Sequence, residues 1–346
     1  MDRRLRSGAR PSGVVARLAA TAALVLAASA VPATPLREDP VTEPAAPVAE
    51  DVLVTGQQAG PGLWQVSDGE HDLWILGTLA PFPKSVVWHA PQVESLLTRA
   101  QAVIGPPEAR VSVGAFRGLL LLPTWLRVRH NPDGQTLKDV LPADVYAHWT
   151  QLKARYLAGD NGVERLRPVL AAQALYERAI ARSDLSGDDP VWKQVTVTAR
   201  KHGVAILPVQ VVTKFDDPKL ALNQWQQLPP PAEAKCFART LDNLERDVSL
   251  LRRRANLWSV GDVDALRELE DVDPDAPCMD LVRSIASLND PFLSLQRKMN
   301  ESWLAAATAA LAANRTTVAV LPLRKLLEPD GLLQRLRERG LTVNPP

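Results

Sequence analysis

The sequence predicts an α/β protein, with a mixed sheet flanked by helices and a largely helical middle region. Short apolar, β-branched segments recur near both ends, at 63–66, 72–77, 102–104, 204–212 and 316–321. Longer stretches with apolar residues at helical spacing stand between them. In the middle of the chain such stretches follow one another, which suggests a helical cap on the sheet.

In chain order, the two opening segments flank Ser67-Asp68-Gly69-Glu70. Asp-Gly between apolar runs is a hairpin signal, because glycine accepts the positive φ of a tight turn. Residues 90–99 set Val93, Leu96 and Leu97 on one helical face. Residues 102–104 read as a short buried strand. Residues 143–157, 168–182 and 191–201 read as helices, with Gly203 placed to end the third. A strand over 204–212 follows. Pro229-Pro230-Pro231 after Leu228 reads as a stiff connection. Helices are expected over 234–258, 262–270 and 290–313, a strand over 316–321, and a last helix over 331–339. Arg252-Arg253-Arg254 reads as a solvated basic face or a contact for an acidic partner.

With 346 residues, the chain has room for one large domain or two small ones. Its 46% hydrophobic and 23% charged residues are ordinary for a globular protein with a sizeable core. Net charge is +1, but residues 1–30 hold five arginines against Asp2, a net +4, which leaves the rest at −3. A mildly acidic body has no global field to gather nucleic acid or anionic lipid. Nucleic acid is excluded as a partner.

The first 30 residues read as a signal peptide. A basic segment precedes the apolar run 18–30, which ends in Ala28-Ser29-Ala30. Cleavage is expected after Ala30, with Ala33 as the second site. The run is shorter than the roughly 20 residues of a comfortable membrane span, so no stable span is expected, an uncleaved anchor being the alternative. No cysteine follows the run as a lipoprotein requires, and Arg6 and Ser7 spoil a twin-arginine match. Residues 31–60 form a Pro/Ala-rich linker that cannot bury enough apolar surface to offset its ordering entropy. The folded domain is expected over 61–346. The protein is thus expected to be exported, to the periplasm.

Leu73-Trp74-Ile75-Leu76-Gly77-Thr78-Leu79-Ala80-Pro81-Phe82-Pro83 resembles the opening motif of the TraB/GumN family. The segments 254–269, RANLWSVGDVDALREL, and 303–346 resemble further parts of it. The resemblance implies a metallohydrolase cleft in which two GxxH motifs, one near each end, bind a divalent metal. Here the first motif reads Gly77-Thr78-Leu79-Ala80, and the alanine methyl cannot ligate. The second region reads Leu321-Pro322-Leu323-Arg324, with a fixed cation where the histidine belongs. The family's strand after the first helix ends in glutamate, whereas here Gly105-Pro106-Pro107 intervene and Glu108 comes late. Gln210 stands where a second glutamate is expected, keeping the shape without the charge that a cation prefers.

The five histidines, His71, His89, His130, His148 and His202, form no HxxxH or HxH pair. His202 beside Gly203 reads as a helix C-terminal cation and His148 as a packing residue. His89, in a loop after the first motif, is the candidate for a functional role, together with Glu108. No G-x-S-x-G, S-x-x-K or P-loop is present. Lys84-Ser85 is adjacent in sequence, so its side chains diverge in extended chain. Cys236 and Cys278 are the only cysteines, and an even pair in an exported chain reads as a disulfide, with two reduced buried thiols as the alternative.

These residues predict a non-catalytic exported domain with a degenerate metallohydrolase cleft, no cofactor, and a protein, peptide or glycan ligand. The alternatives are a hydrolase of the same family with a metal-dependent or rearranged site, built on Glu108 and His89, and a structural envelope protein.

Overall fold

The computed structural model describes residues 60–84, 90–112, 115–214, 216–269 and 276–346. The expected signal peptide, the expected linker up to residue 59, and His89 lie outside the described residues. The described residues form one compact unit.

Eight strands occur among the described residues: β1 (Leu63–Ser67), β2 (Asp72–Thr78), β3 (Phe82–Pro83), β4 (Ala102–Ser112), β5 (Leu185–Ser186), β6 (Ala205–Lys214), β7 (Thr316–Pro322) and β8 (Thr342–Asn344). Six build one mixed sheet in the order β6-β4-β7-β2-β1-β8, and β3 pairs with β5 separately. β1 and β2 form the expected hairpin, paired antiparallel from Leu63↔Leu76 to Ser67↔Asp72. β2, β7, β4 and β6 run parallel, with β7 inserted between β4 and β2. Thr317 to Leu321 are all buried, so both faces of β7 are covered. The sheet is flanked by helices, which include Pro91–Arg99, Pro190–Lys201 and Ala286–Ala313.

β4 is longer than expected. It continues through Gly105-Pro106-Pro107, with a register shift between Ile104 and Pro107. Pairing to β7 stops at Ile104, so the prolines fall where that edge needs no donor. Beyond this point β4 and β6 form a two-stranded ribbon, from Pro107↔Val209 to Ser112↔Lys214.

Two large cores organise the packing, beside a smaller one around Cys236, Leu281 and Ile285. One surrounds the sheet and includes Ile75, Leu76, Ile104, Trp303 and Val318–Leu321. The other lies in the helical middle, around Trp149, Leu175, Phe237 and Leu244. The helix Pro230–Ser259 joins them, with Phe237 and Leu244 in the second core and Ala255 and Trp258 in the first. Pro230 and Pro231 open this helix instead of forming a stiff connector, since proline at a first turn loses no needed N–H. Arg254 is buried on it and donates to Leu269 O at 3.5 Å, so only part of the arginine run is a solvated face.

Cys236 and Cys278 form a disulfide that ties the Pro230–Ser259 helix to the Ala276–Arg283 helix, with Cα atoms 5.0 Å apart. Cys278 thus sits on a helix. Two helices absent from the sequence expectation, Ala115–Val128 and Pro218–Gln226, pack against each other after the ends of β4 and β6.

Candidate functional site

The two GxxH-like segments meet side by side. β2 and β7 pair in parallel with Gly77 opposite Leu321 and Thr78 opposite Pro322. Ala80 and Arg324 each follow three residues later, so both leave adjacent strands at the same sheet edge. This is the carboxyl edge of parallel strands, where ligand crevices of open α/β sheets lie. Ala80 and Arg324 are exposed.

Packing fixes the motif's glycine. A Cβ on Gly77 would lie 2.9 Å from Leu323 Cδ1 and 3.1 Å from Leu326 Cδ1, so the helix Leu323–Leu327 sits directly against the strand backbone. The buried Trp258 Nε1 donates to Gly77 O at 2.7 Å. Its ring stacks edge-on against Phe82, with centroids 5.2 Å apart. Trp258 belongs to the RANLWSVGDVDALREL segment, so all three resembling segments converge here. Gly261 in that segment has φ 74°, and a Cβ there would meet Gly60 O at 2.6 Å. Only glycine suits both demands.

Thr78 is buried, and its hydroxyl donates to Leu321 O at a long 3.5 Å. The Asp189 carboxylate competes with Leu321 O for the same hydroxyl proton. Asp189 caps the Pro190–Lys201 helix by accepting from Trp192 N at 2.9 Å. Burial pushes its carboxyl above the ordinary aspartate range, against the opposing pull of these hydrogen bonds. Trp192 in turn lies over Gly105 of β4, where a Cβ would meet its ring at 3.1 Å. Asp189 is not among the site residues expected from the sequence. Its one signal, Asp188-Asp189-Pro190, marks a helix start and says nothing of proximity to Thr78.

Glu108 and Gln210 face each other across the β4–β6 ribbon. Gln210 Nε2 donates to Glu108 Oε2 at 3.5 Å in an exposed setting. The structure therefore pairs these two residues and, separately, pairs the segments of Gly77 and Leu321. Glu108 lies on the ribbon past β4's last pairing with β7.

The remaining described histidines are dispersed. His71 binds Asp68 in the first hairpin turn, where backbone donors from Glu70 and the His71 contact draw Asp68 down to about 2. His148 lies 3.4 Å from Asp242. His202 caps the Pro190–Lys201 helix.

A separate cavity of about 940 Å³ lies in the helical middle, lined among others by Arg127, His130, Arg165, Arg167 and Glu233. Arg167 and Glu233 form a buried ion pair, and burial pushes the Glu233 carboxyl up despite its arginine. None of the motif residues lines this cavity.

A family model described as TraB/PrgY/gumN matches residues 62–345. The chain belongs to the TraB/PrgY/gumN family. No curated protein and no solved structure matches it. A divalent metal at the family's GxxH positions finds a poor donor set here. A zinc-type site takes three or four placed donors, whereas the two positions supply a methyl and a guanidinium. Gln210 adds a neutral amide. Among the described residues, no three His, Cys, Asp or Glu side chains group as ligands. The residues present do not fit the metal.

Proposed function

We propose that this TraB/PrgY/gumN protein is an exported, non-catalytic binding domain that keeps the cleft of a metallohydrolase without its metal chemistry. One observation carries the reading. Gly77 and Leu321 are direct sheet neighbours, so the family's two ligand positions issue from adjacent strands and end in Ala80 and Arg324. The scaffold that aims them is retained, through the Trp258 bond to Gly77 O and the Leu323 contact. The ligand is a protein, peptide or glycan at the carboxyl edge of β2 and β7.

The test is metal analysis of natively purified protein together with peptide hydrolysis against a denatured control. The binding-domain reading expects no stoichiometric Zn²⁺ or Mn²⁺ and no turnover above the control. Ala80→His alone is expected to recover no metal, because Arg324 remains. Stoichiometric metal, lost together with activity on chelation, would falsify it. The alternative hydrolase, built on Glu108 and His89, predicts metal-independent turnover that Glu108→Gln abolishes.

A further inference from the structure

The helix Ala115–Val128 turns its apolar face outward. Leu119, Leu122, Pro123 and Leu126 recur at the i, i+3, i+4, i+7 spacing that elsewhere in this chain marks a buried face, yet all four are exposed. Leu119 is 67% and Leu120 64% exposed, and Trp125 40%. Val128, on the opposite side, is buried, and the helix packs against the Pro218–Gln226 helix. So many exposed leucines on one short helix form a contiguous apolar surface, which folded domains ordinarily keep for a partner.

Charge identifies that partner. Residues 109–132 contain Arg110, Arg117, Arg127 and Arg129 and no Asp or Glu, in a chain whose residues after 30 are net −3. Arg110 and Arg127 are exposed. The neighbouring helix adds the exposed Lys219 and, at its N-cap, Asp217. An apolar stripe of leucine and tryptophan fringed by arginine suits the boundary of an anionic bilayer, where leucine enters the acyl region, tryptophan sits at headgroup level and arginine meets phosphate. At 14 residues the helix is too short to cross.

The geometry points to a peripheral membrane-docking surface on the Ala115–Val128 helix, with an anionic phospholipid bilayer as its occupant. The helix lies in the interface plane. This inference does not rest on the binding-domain reading, since an active hydrolase would dock equally.

The test uses natively purified full-length protein and vesicles of equal parts phosphatidylcholine and phosphatidylglycerol, with pure phosphatidylcholine for comparison. Flotation is expected with the anionic vesicles and is expected to weaken as salt rises. The combined variant L119Q, L122Q and L126Q is expected to lower association by about tenfold or more. The pair R127Q and R129Q is expected to lower it by about thirtyfold, at the strength of one anionic-surface contact per arginine. These side chains are exposed or half-exposed, so an unchanged thermal transition is expected to accompany each loss. Brominated acyl chains report on the helix itself: quenching that Trp125→Phe removes places the helix in lipid, even if another segment also binds. Equal flotation of all variants, with quenching unaffected by Trp125→Phe, overturns the proposal. So does a dimer in sedimentation that the leucine variant dissociates while vesicles capture nothing, because the face then pairs two copies of this chain.

Discussion

Single contacts hold the degenerate motif in shape. Trp258 Nε1 is the donor to the Gly77 carbonyl, and a phenylalanine in its place removes that hydrogen bond. Trp258→Phe is expected to destabilise by about 1–3 kcal/mol, read as a lowered urea midpoint. Gly77→Ala is expected to cost about the same, because its methyl must displace the Leu323 and Leu326 side chains. Asp189 makes a different prediction. Its native carboxyl is raised by burial, so the folded protein binds that proton more tightly than the unfolded chain does. Stability from this group is therefore present at low pH and falls as pH climbs from the unfolded value, about 3.9, through the raised native one. Asp189→Asn keeps a side-chain oxygen for Trp192 N and removes the titration. Urea midpoints measured across that window are expected to decline less steeply in the variant, and an unchanged slope would remove the buried-carboxyl account.

At the scale of elements, the disulfide joins two helices across a separation of 42 residues. Reducing it is expected to cost about 4 kcal/mol in the chain-entropy model, read as a lower urea midpoint in reductant, and alkylation without reductant is expected to label neither cysteine. That bond was legible because the chain holds two cysteines and its N-terminus reads as an export signal. The β1–β2 hairpin and the helices at Pro91–Arg99 and Pro168–Arg182 were legible from turn chemistry and period. β4 was not, since Pro106 and Pro107 argue locally for a strand end, and only the absence of a β7 partner beyond Ile104 lets the strand continue. The Ala115–Val128 helix was hidden by Gly118 and Pro123 within a leucine run whose apolar face finds no core. In the candidate site, the motif positions were readable because Leu73–Pro83 and residues 303–346 resemble segments of the family. Asp189 was not, because its approach to Thr78 is made by tertiary packing across more than a hundred residues.

On the scale of the whole molecule, charge is partitioned along the chain. Five arginines fall within the first 30 residues, ahead of and at the edge of the apolar run, and the remainder is acidic overall. That asymmetry is what an export signal requires, with positive charge held on the inner side while the apolar stretch engages the membrane. The disulfide agrees with the same destination, because oxidised cysteine pairs persist where thiols are not kept reduced. Among the described residues no helix is long and apolar enough to cross a membrane. Cleavage after Ala30 is expected to free a domain whose contact with lipid is made by its own surface. Intact-mass measurement of protein from the exported fraction is expected to give an N-terminus at Val31, or at Thr34 if Ala33 is used. Recovery of Met1 in that fraction would show an uncleaved anchor instead. Membrane association would then persist in the L119Q, L122Q and L126Q variant, while Trp125 quenching would still report whether the helix itself reaches the lipid.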